Sequence, residues 1–237
     1  MILEYNLPSH GMILAAGLGT RIRKVNKDLP KPLIPILGKP LIEYSLEYLV
    51  SAGIKSIVIN TYYLGDLIVE YIHEYMEKSV HIIDIQLSHE ENLMETGGGV
   101  VQALPRFGDN PFFILNSDTI LRDKSRSAFS TLFDFWNDKK MDALLLMCTP
   151  LQSIGHKSEK GDFIITDCNQ ITRVQNNESG YNFCGVQLVH PRLFENAPKG
   201  PHSLNYYYDK KNIEISQIRR HTCNVSASPC CNSTTFS

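Results

Sequence analysis

The chain has 237 residues, with 23 Lys plus Arg against 25 Asp plus Glu and a net charge of −2. That length fits one large domain or two small ones and buries a substantial core; the near-balanced charge argues against a nucleic-acid partner. No apolar run approaches the roughly 20 residues needed to span a bilayer, so no membrane partner is expected.

The opening "MILEYNLPSH" carries Glu4 and no basic stretch before an apolar core, so it does not read as a secretory signal. Six cysteines all lie in the second half without a Cys-x-x-Cys spacing. Cys148, Cys168 and Cys184 sit in apolar runs and are expected as reduced thiols, consistent with a cytoplasmic protein.

The first element is "GMILAA" (11–16), a short apolar run bounded by glycine, the pattern of a buried strand. Pro40 then opens a helix with Leu41, Ile42, Leu46, Leu49 and Val50 at helical spacing, stopped by Gly53. "KSIVINTYY" is a second strand, 64–78 an amphipathic helix and "VHIIDIQL" a third strand. "GGGVVQAL" starts a helix, "PFFILNSD" is a fourth strand, 125–139 a helix and "MDALLLMC" a fifth strand. Such alternation with near-continuous apolar strands predicts an α/β fold, a mostly parallel sheet covered by helices on both faces.

Beyond about residue 150, "GDFIITDCNQITRV" reads as two strands around a turn and "YNFCGVQLVHP" as another, all expected on the rim over the substrate end of the sheet. No linker or repeat marks a second domain, so residues 1–211 are expected as one domain. Residues 212–237, small, polar and without periodicity, are expected as a disordered tail.

Three stretches carry the chemistry. After the first strand comes "GLGTRIRKVNKDLPKP". A Rossmann dinucleotide loop needs a third glycine where Ile22 stands, and a Walker loop needs Gly-Lys-Ser/Thr after its glycines. Neither pattern is met. The remaining functional reading joins Gly17 and Gly19 to Arg21, Arg23, Lys24, Lys27 and Lys31 as one triphosphate site. Pro30 and Pro32 frame Lys31 and restrict its backbone on both sides, so its side chain is aimed. A solvated basic loop is the competing reading. Asp118 ends the fourth strand at the ligand edge of an α/β sheet, where its hard carboxylate suits Mg²⁺; capping the next helix is the alternative. "ETGGG" (95–99) puts three glycines at a helix start, for close backbone contact to a base or an anion, or for a tight turn.

Taken together, "LAAGLGTR", "LPKPLIPILGKP", "ETGGG" and "FFILNSD", in that order, resemble the sugar-1-phosphate nucleotidyltransferases. The resemblance covers 11 to about 208, with a GT-A-like, Rossmann-like fold. Within that family "ETGGG", "GYNFCGVQLVHPRLF" and "SLNYYYDK" are most similar to the N-acetylmuramate 1-phosphate uridylyltransferases, with mannose-1-phosphate guanylyltransferase-like members as near neighbours.

The resemblance implies transfer of a nucleoside monophosphate from a triphosphate, UTP by likeness, to a sugar 1-phosphate, in a monomer or dimer. By the same resemblance Ala15, Ala16, Gly17, Gly19 and Thr20 contact the nucleotide, Arg21 and Lys31 grip phosphates, and Gly97 and Gly98 lie against the base. Asp118 holds Mg²⁺, and Asn116 and Gly161 lie near the sugar phosphate. Family members carry a second metal ligand before a C-terminal Gly-Thr, whereas the only Gly-Thr here is Gly19-Thr20 and the likeness stops after Lys211. A nucleotide-binding relative with little turnover is the alternative expectation.

Overall fold

The run 11–16 supplies a central strand as far as Leu14, and Ala15 and Ala16 lie beyond its end. The computed structural model describes residues 8–20, 27–122, 127–154, 160–166, 171–175, 178–210 and 225–226. In chain order, β1 (His10–Leu14) leads through a 3-10 turn at Lys31–Leu33 to the hairpin β2 (Pro35–Ile36) and β3 (Lys39–Pro40). Helix α1 (Leu41–Ser51), β4 (Ser56–Thr61), α2 (Gly65–Lys78), β5 (Asp84–His89) and α3 (Glu95–Ala103) follow. Next come β6 (Phe112–Asn116), α4 (Ala128–Phe135), β7 (Ala143–Cys148), β8 (Ser153–Ile154), β9 (Phe163–Ile165) and β10 (Ile171–Arg173). The chain then forms β11 (Asn182–Val189), α5 (Asn205–Lys210) and β12 (Val225–Ser226).

Six strands make the main sheet in the order β5-β4-β1-β6-β11-β7, and β5, β4, β1 and β6 run parallel. Alternate residues of each strand point to opposite faces. Ile13, Ile57, Ile59, Phe113 and Leu115 join the core under α1, α2 and α4. Met12, Val58, Phe112 and Ile114 join a second core with Val100 of α3 and Tyr207 and Tyr208 of α5. Two covered faces explain why the strands read as unbroken apolar runs. The expected α/β architecture is therefore present.

Some boundaries differ. Helix α4 is shorter than the expected 125–139: the Ser127 side chain accepts from Phe129 N–H at 3.2 Å to open it, and Trp136 is already extended. Ser127 thus acts as the N-cap, accepting from Phe129 N–H, which competes with starting the helix any earlier. Residues 80 and 82 precede β5 and leave Val80 and Ile82 exposed, outside the strand.

The larger correction concerns "YNFCGVQLVHP". Instead of lying on the rim, β11 is inserted in the sheet between β6 and β7, antiparallel to both. Its sequence demands that place, because Val186, Leu188 and Val189 are fully buried and need covering on both faces. Of the three strands expected on the rim, β9 and β10 do pair apart from the main sheet, antiparallel to each other, and the turn expected between them lies outside the described residues. Two residues of the expected tail, Val225 and Ser226, pair in parallel with Ser153 and Ile154; the rest of 212–237 lies outside the described residues. Cys148 and Cys184 are buried free thiols, as expected, while Cys168 lies outside the described residues. No helix among the described residues is long and apolar enough to cross a membrane.

Placement of β11 inside the sheet is testable through Leu188. Leu188→Ala should cost about 2–5 kcal/mol in a urea titration, the usual range for a cavity in a packed core. A loss below about 1 kcal/mol, typical of surface substitutions, would return β11 to the periphery.

Candidate functional site

Parallel strands that share a direction also share a carboxyl edge. In the register of the sheet Leu14 of β1 stands opposite both Asn60 of β4 and Asn116 of β6. A cavity of about 240 Å³ opens at that edge. Its floor is Leu14, Ala15, Ala16 and Gly17; Asn116, Ser117 and Asp118 form one side, and Leu93, Glu95 and Thr96 the opposite side. Lys31, Pro32 and Asn60 complete it.

The expected cation and carboxylate meet here. Lys31 sits in the first 3-10 turn, closed by Leu33 N–H donating to Pro30 O at 2.9 Å. From that frame Lys31 Nζ donates to Asp118 Oδ2, with both side chains mostly but not fully covered. Asp118 is held in place by the loop behind it. Tyr48 OH accepts from Leu121 N–H at 2.8 Å and donates to Leu121 O at 2.9 Å.

The glycines divide into two kinds. Gly19 has φ +56° and passes close to Lys31, where an added Cβ would lie 3.2 Å from Lys31 Cβ. Gly17 has neither constraint: it is exposed, and no protein atom would lie within 4 Å of an added Cβ. Thr20 is exposed beside it and is not part of the cavity wall. Arg21 lies outside the described residues.

Gly97, Gly98 and Gly161 are not among the residues of the cavity wall. The N–H groups of Gly97 and Gly98 both donate to His202 O, at 2.8 and 3.0 Å, and a Cβ on Gly97 would strike His202 at 2.7 Å. These two glycines admit the segment before α5, so it is Leu93, Glu95 and Thr96 around them that face the cavity. Gly161, at φ +90°, packs on Gly180 and Tyr181 with no room for a side chain. A tight approach of protein to protein explains all three.

Comparison with known proteins agrees with this geometry. The nucleotidyl transferase family pattern matches residues 10–157. The chain belongs to the nucleotidyl transferase family. N-acetylmuramate alpha-1-phosphate uridylyltransferase of Caulobacter vibrioides is 30% identical over 197 residues, covering 83% of this chain and 81% of that protein. The Neisseria meningitidis serogroup B protein of the same name is 33% identical over 190 residues, covering 80% and 78%. Among solved structures, the inositol-1-phosphate CTP transferase from T. maritima superimposes with a TM-score of 0.74 at 16% identity over 96% of this chain and 93% of that one, a likeness of fold.

This nucleotidyltransferase has site residues that the motifs did not reveal. Asn60 is the last residue but one of β4, a polar residue near the end of a buried strand as Asp118 lies just past β6, and that signal was available in "VINTYY". Asn60 Oδ1 accepts from Ala15 N–H at 2.8 Å, and Asn60 Nδ2 donates to Glu90 Oε1 at 2.7 Å. Glu90 Oε2 accepts from Met94 N–H at 2.9 Å. Glu95 holds φ +59°, a conformation a non-glycine side chain rarely adopts, and it does so at the cavity wall. Gly185, at φ +73° where β11 changes register, packs so close to Thr119 that an added Cβ would fall 2.2 Å from its Oγ1.

Burial pushes the Glu90 carboxyl above its ordinary 4.5, and the bonds from Met94 and Asn60 oppose that rise only in part. The native state therefore holds this proton more tightly than the unfolded chain does. Its contribution is fully present below pH 4.5 and is lost as pH rises through the native titration. Stability measured from pH 4 upward should fall in the unmodified chain relative to Glu90→Gln, which has no proton to lose. A stability difference between the two that does not change with pH would refute this titration.

Proposed function

We propose that this chain transfers a uridylyl group from UTP to a sugar 1-phosphate, N-acetylmuramate 1-phosphate, and releases pyrophosphate. The observation that carries the reading is the meeting of an aimed lysine, a strand-end carboxylate and a side-chain-free glycine loop at one cavity on the carboxyl edge of the sheet. Uridine and N-acetylmuramate are favoured because the two relatives matched over about four-fifths of the chain carry those substrates in their names.

The reaction asks for little covalent help from the protein. An anionic oxygen of the sugar phosphate attacks the α-phosphorus; a phosphorus–oxygen bond forms there while the bond to the β-phosphate oxygen breaks. The electron pair leaves with pyrophosphate. Since the nucleophile is already an anion, no general base is required, and the barrier is charge repulsion and alignment. In this reading Lys31 offsets phosphate charge. Gly17 lets backbone come close to the triphosphate, and Asn116 and Ser117 face the sugar phosphate.

Asp118 fits Mg²⁺, because a single exposed-edge carboxylate plus substrate phosphate oxygens and water is a usual coordination set for that ion. When bound, the ion supplies further charge neutralisation on the phosphates. The role of Arg21 as a second phosphate-gripping cation belongs to this same reading.

A pyrophosphate-release assay should give turnover with UTP and N-acetylmuramate 1-phosphate above that with GTP or with mannose 1-phosphate. Preference for GTP would replace the uridylyl assignment, and no turnover with any pair would overturn the proposal. Asp118→Asn should lower Mg²⁺-dependent turnover by on the order of a hundredfold, with an unchanged circular dichroism spectrum. Lys31→Ala should weaken UTP binding far more than Lys27→Ala, whose side chain is exposed and worth little. Equal effects from both would reduce the cluster to a diffuse basic surface.

A further inference from the structure

One buried charged group near the cavity has no part in that chemistry. Glu90 is 1% exposed, yet its two oxygens reach two elements that border the cavity, β4 through Asn60 and the start of α3 through Met94. Through Asn60 it is linked to Ala15 of the floor; through Met94 it is linked to the start of α3, between Leu93 and Glu95 of the far wall. We propose that Glu90 and Asn60 are positioning residues that fix the separation of the glycine loop from the α3 wall, and thereby set nucleotide affinity and base discrimination. This rests on the reading that the cavity holds the nucleoside triphosphate.

The polarity of the chain of bonds has one solution. Ala15 N–H is a donor, so Asn60 must present its carbonyl oxygen to it. The Asn60 amide then faces Glu90 as a donor, and Met94 N–H approaches Glu90 as a donor too. Only an acceptor on both sides satisfies the pair, and a carboxylate is the side chain that accepts twice and donates nothing when ionised. An apolar side chain would fill the same space without the cost of burying a charge. Keeping a carboxylate there is explained by what it holds apart and in line.

A second observation points the same way. A Cβ on Gly99 would lie 2.6 Å from Glu90 Oε1 and 2.8 Å from Asn60 Nδ2. Gly99 is inside α3, its φ is not left-handed, and a glycine in a helix interior is unfavourable. The third glycine of "ETGGG" is thus explained by the passage of the Glu90–Asn60 pair against the helix.

The polarity can be inverted without changing shape or net charge. In Asn60→Asp with Glu90→Gln, the new carboxylate still accepts from Ala15 N–H and now accepts from the glutamine amide, whose oxygen accepts from Met94 N–H. Each single change breaks the pattern: Glu90→Gln sets two donors against each other, and Asn60→Asp sets two carboxylates face to face. The full chain and these three variants, with Gly99→Ala, are titrated with UTP and with GTP by calorimetry, below their melting temperatures. KM for UTP and for the sugar phosphate is measured alongside.

Each single variant and Gly99→Ala should raise the UTP dissociation constant about tenfold, as expected for one broken buried hydrogen bond, and narrow the gap between UTP and GTP. KM for the sugar phosphate should stay within about twofold, since the loss lies on the nucleotide side. The double variant should recover most of the UTP affinity. Lower melting temperatures with unchanged UTP affinity would show a structural role alone and overturn the inference, as would a double variant no better than the singles. If the unmodified chain binds neither nucleotide, the proposed function falls and this inference with it. If it binds and the variants bind equally well, the inference alone falls.

Discussion

Glu90 brings a carboxylate into the interior, and the elements around the cavity are arranged to answer it. A buried carboxylate without donors is among the costliest groups a core can hold. Here two donors meet it, one from the end of β4 and one from the start of α3. Answering the charge orients Asn60, which in turn takes up the N–H of Ala15 as the chain leaves the sheet. The same demand empties the Gly99 side chain. One group therefore links three strand ends and a helix start, and the floor and far wall of the cavity are parts of a single bonded unit.

That unit is possible because β1, β4 and β5 are parallel neighbours that end together. Leu14, Asn60 and Ser88 share one line across the sheet, so the residues just beyond them fall at one edge. On the other side β6 brings Asn116 to the same edge, and the loop after it carries Asp118 to Lys31. The antiparallel β11 closes this half. Its bulge at Gly185 presses against Thr119, so the Asp118 loop is held between Tyr48 of α1 and a strand more than sixty residues later.

Much of this was legible in the sequence, and the parts that were not share a cause. Strand-helix alternation, the framed Lys31 and an acid close behind a buried strand are local patterns; the alternation and the frame are present, and Asp118 stands two residues beyond the end of β6. The β11 insertion was missed because an apolar run states that a strand is buried but not which neighbours bury it. The contact of Gly97 and Gly98 with the segment before α5 was not legible for a related reason. A glycine run reports that something comes close to the backbone; it does not report whether that is a ligand or His202. Asn60 and Glu90 are thirty residues apart, and nothing in "VINTYY" or "SHEEN" shows that they touch.

In the proposed reading, the Lys31–Asp118 pair keeps opposite charges matched at the cavity when no substrate is bound. A lone cation and a lone carboxylate at a half-covered edge would each pay for lost hydration without recompense. Facing each other, they cancel, and their partial exposure keeps the attraction screened and the exchange of partners inexpensive. In the proposed reaction the lysine turns to phosphate and the carboxylate to a cation, so opposite charges remain paired before and after binding. Strong binding of anions then needs no excess of positive charge in the free chain, which agrees with a sequence whose acids and bases nearly balance. The basic character that the first motif displays is local to one loop, and Lys31 of that loop is answered by Asp118, an acid of the same cavity.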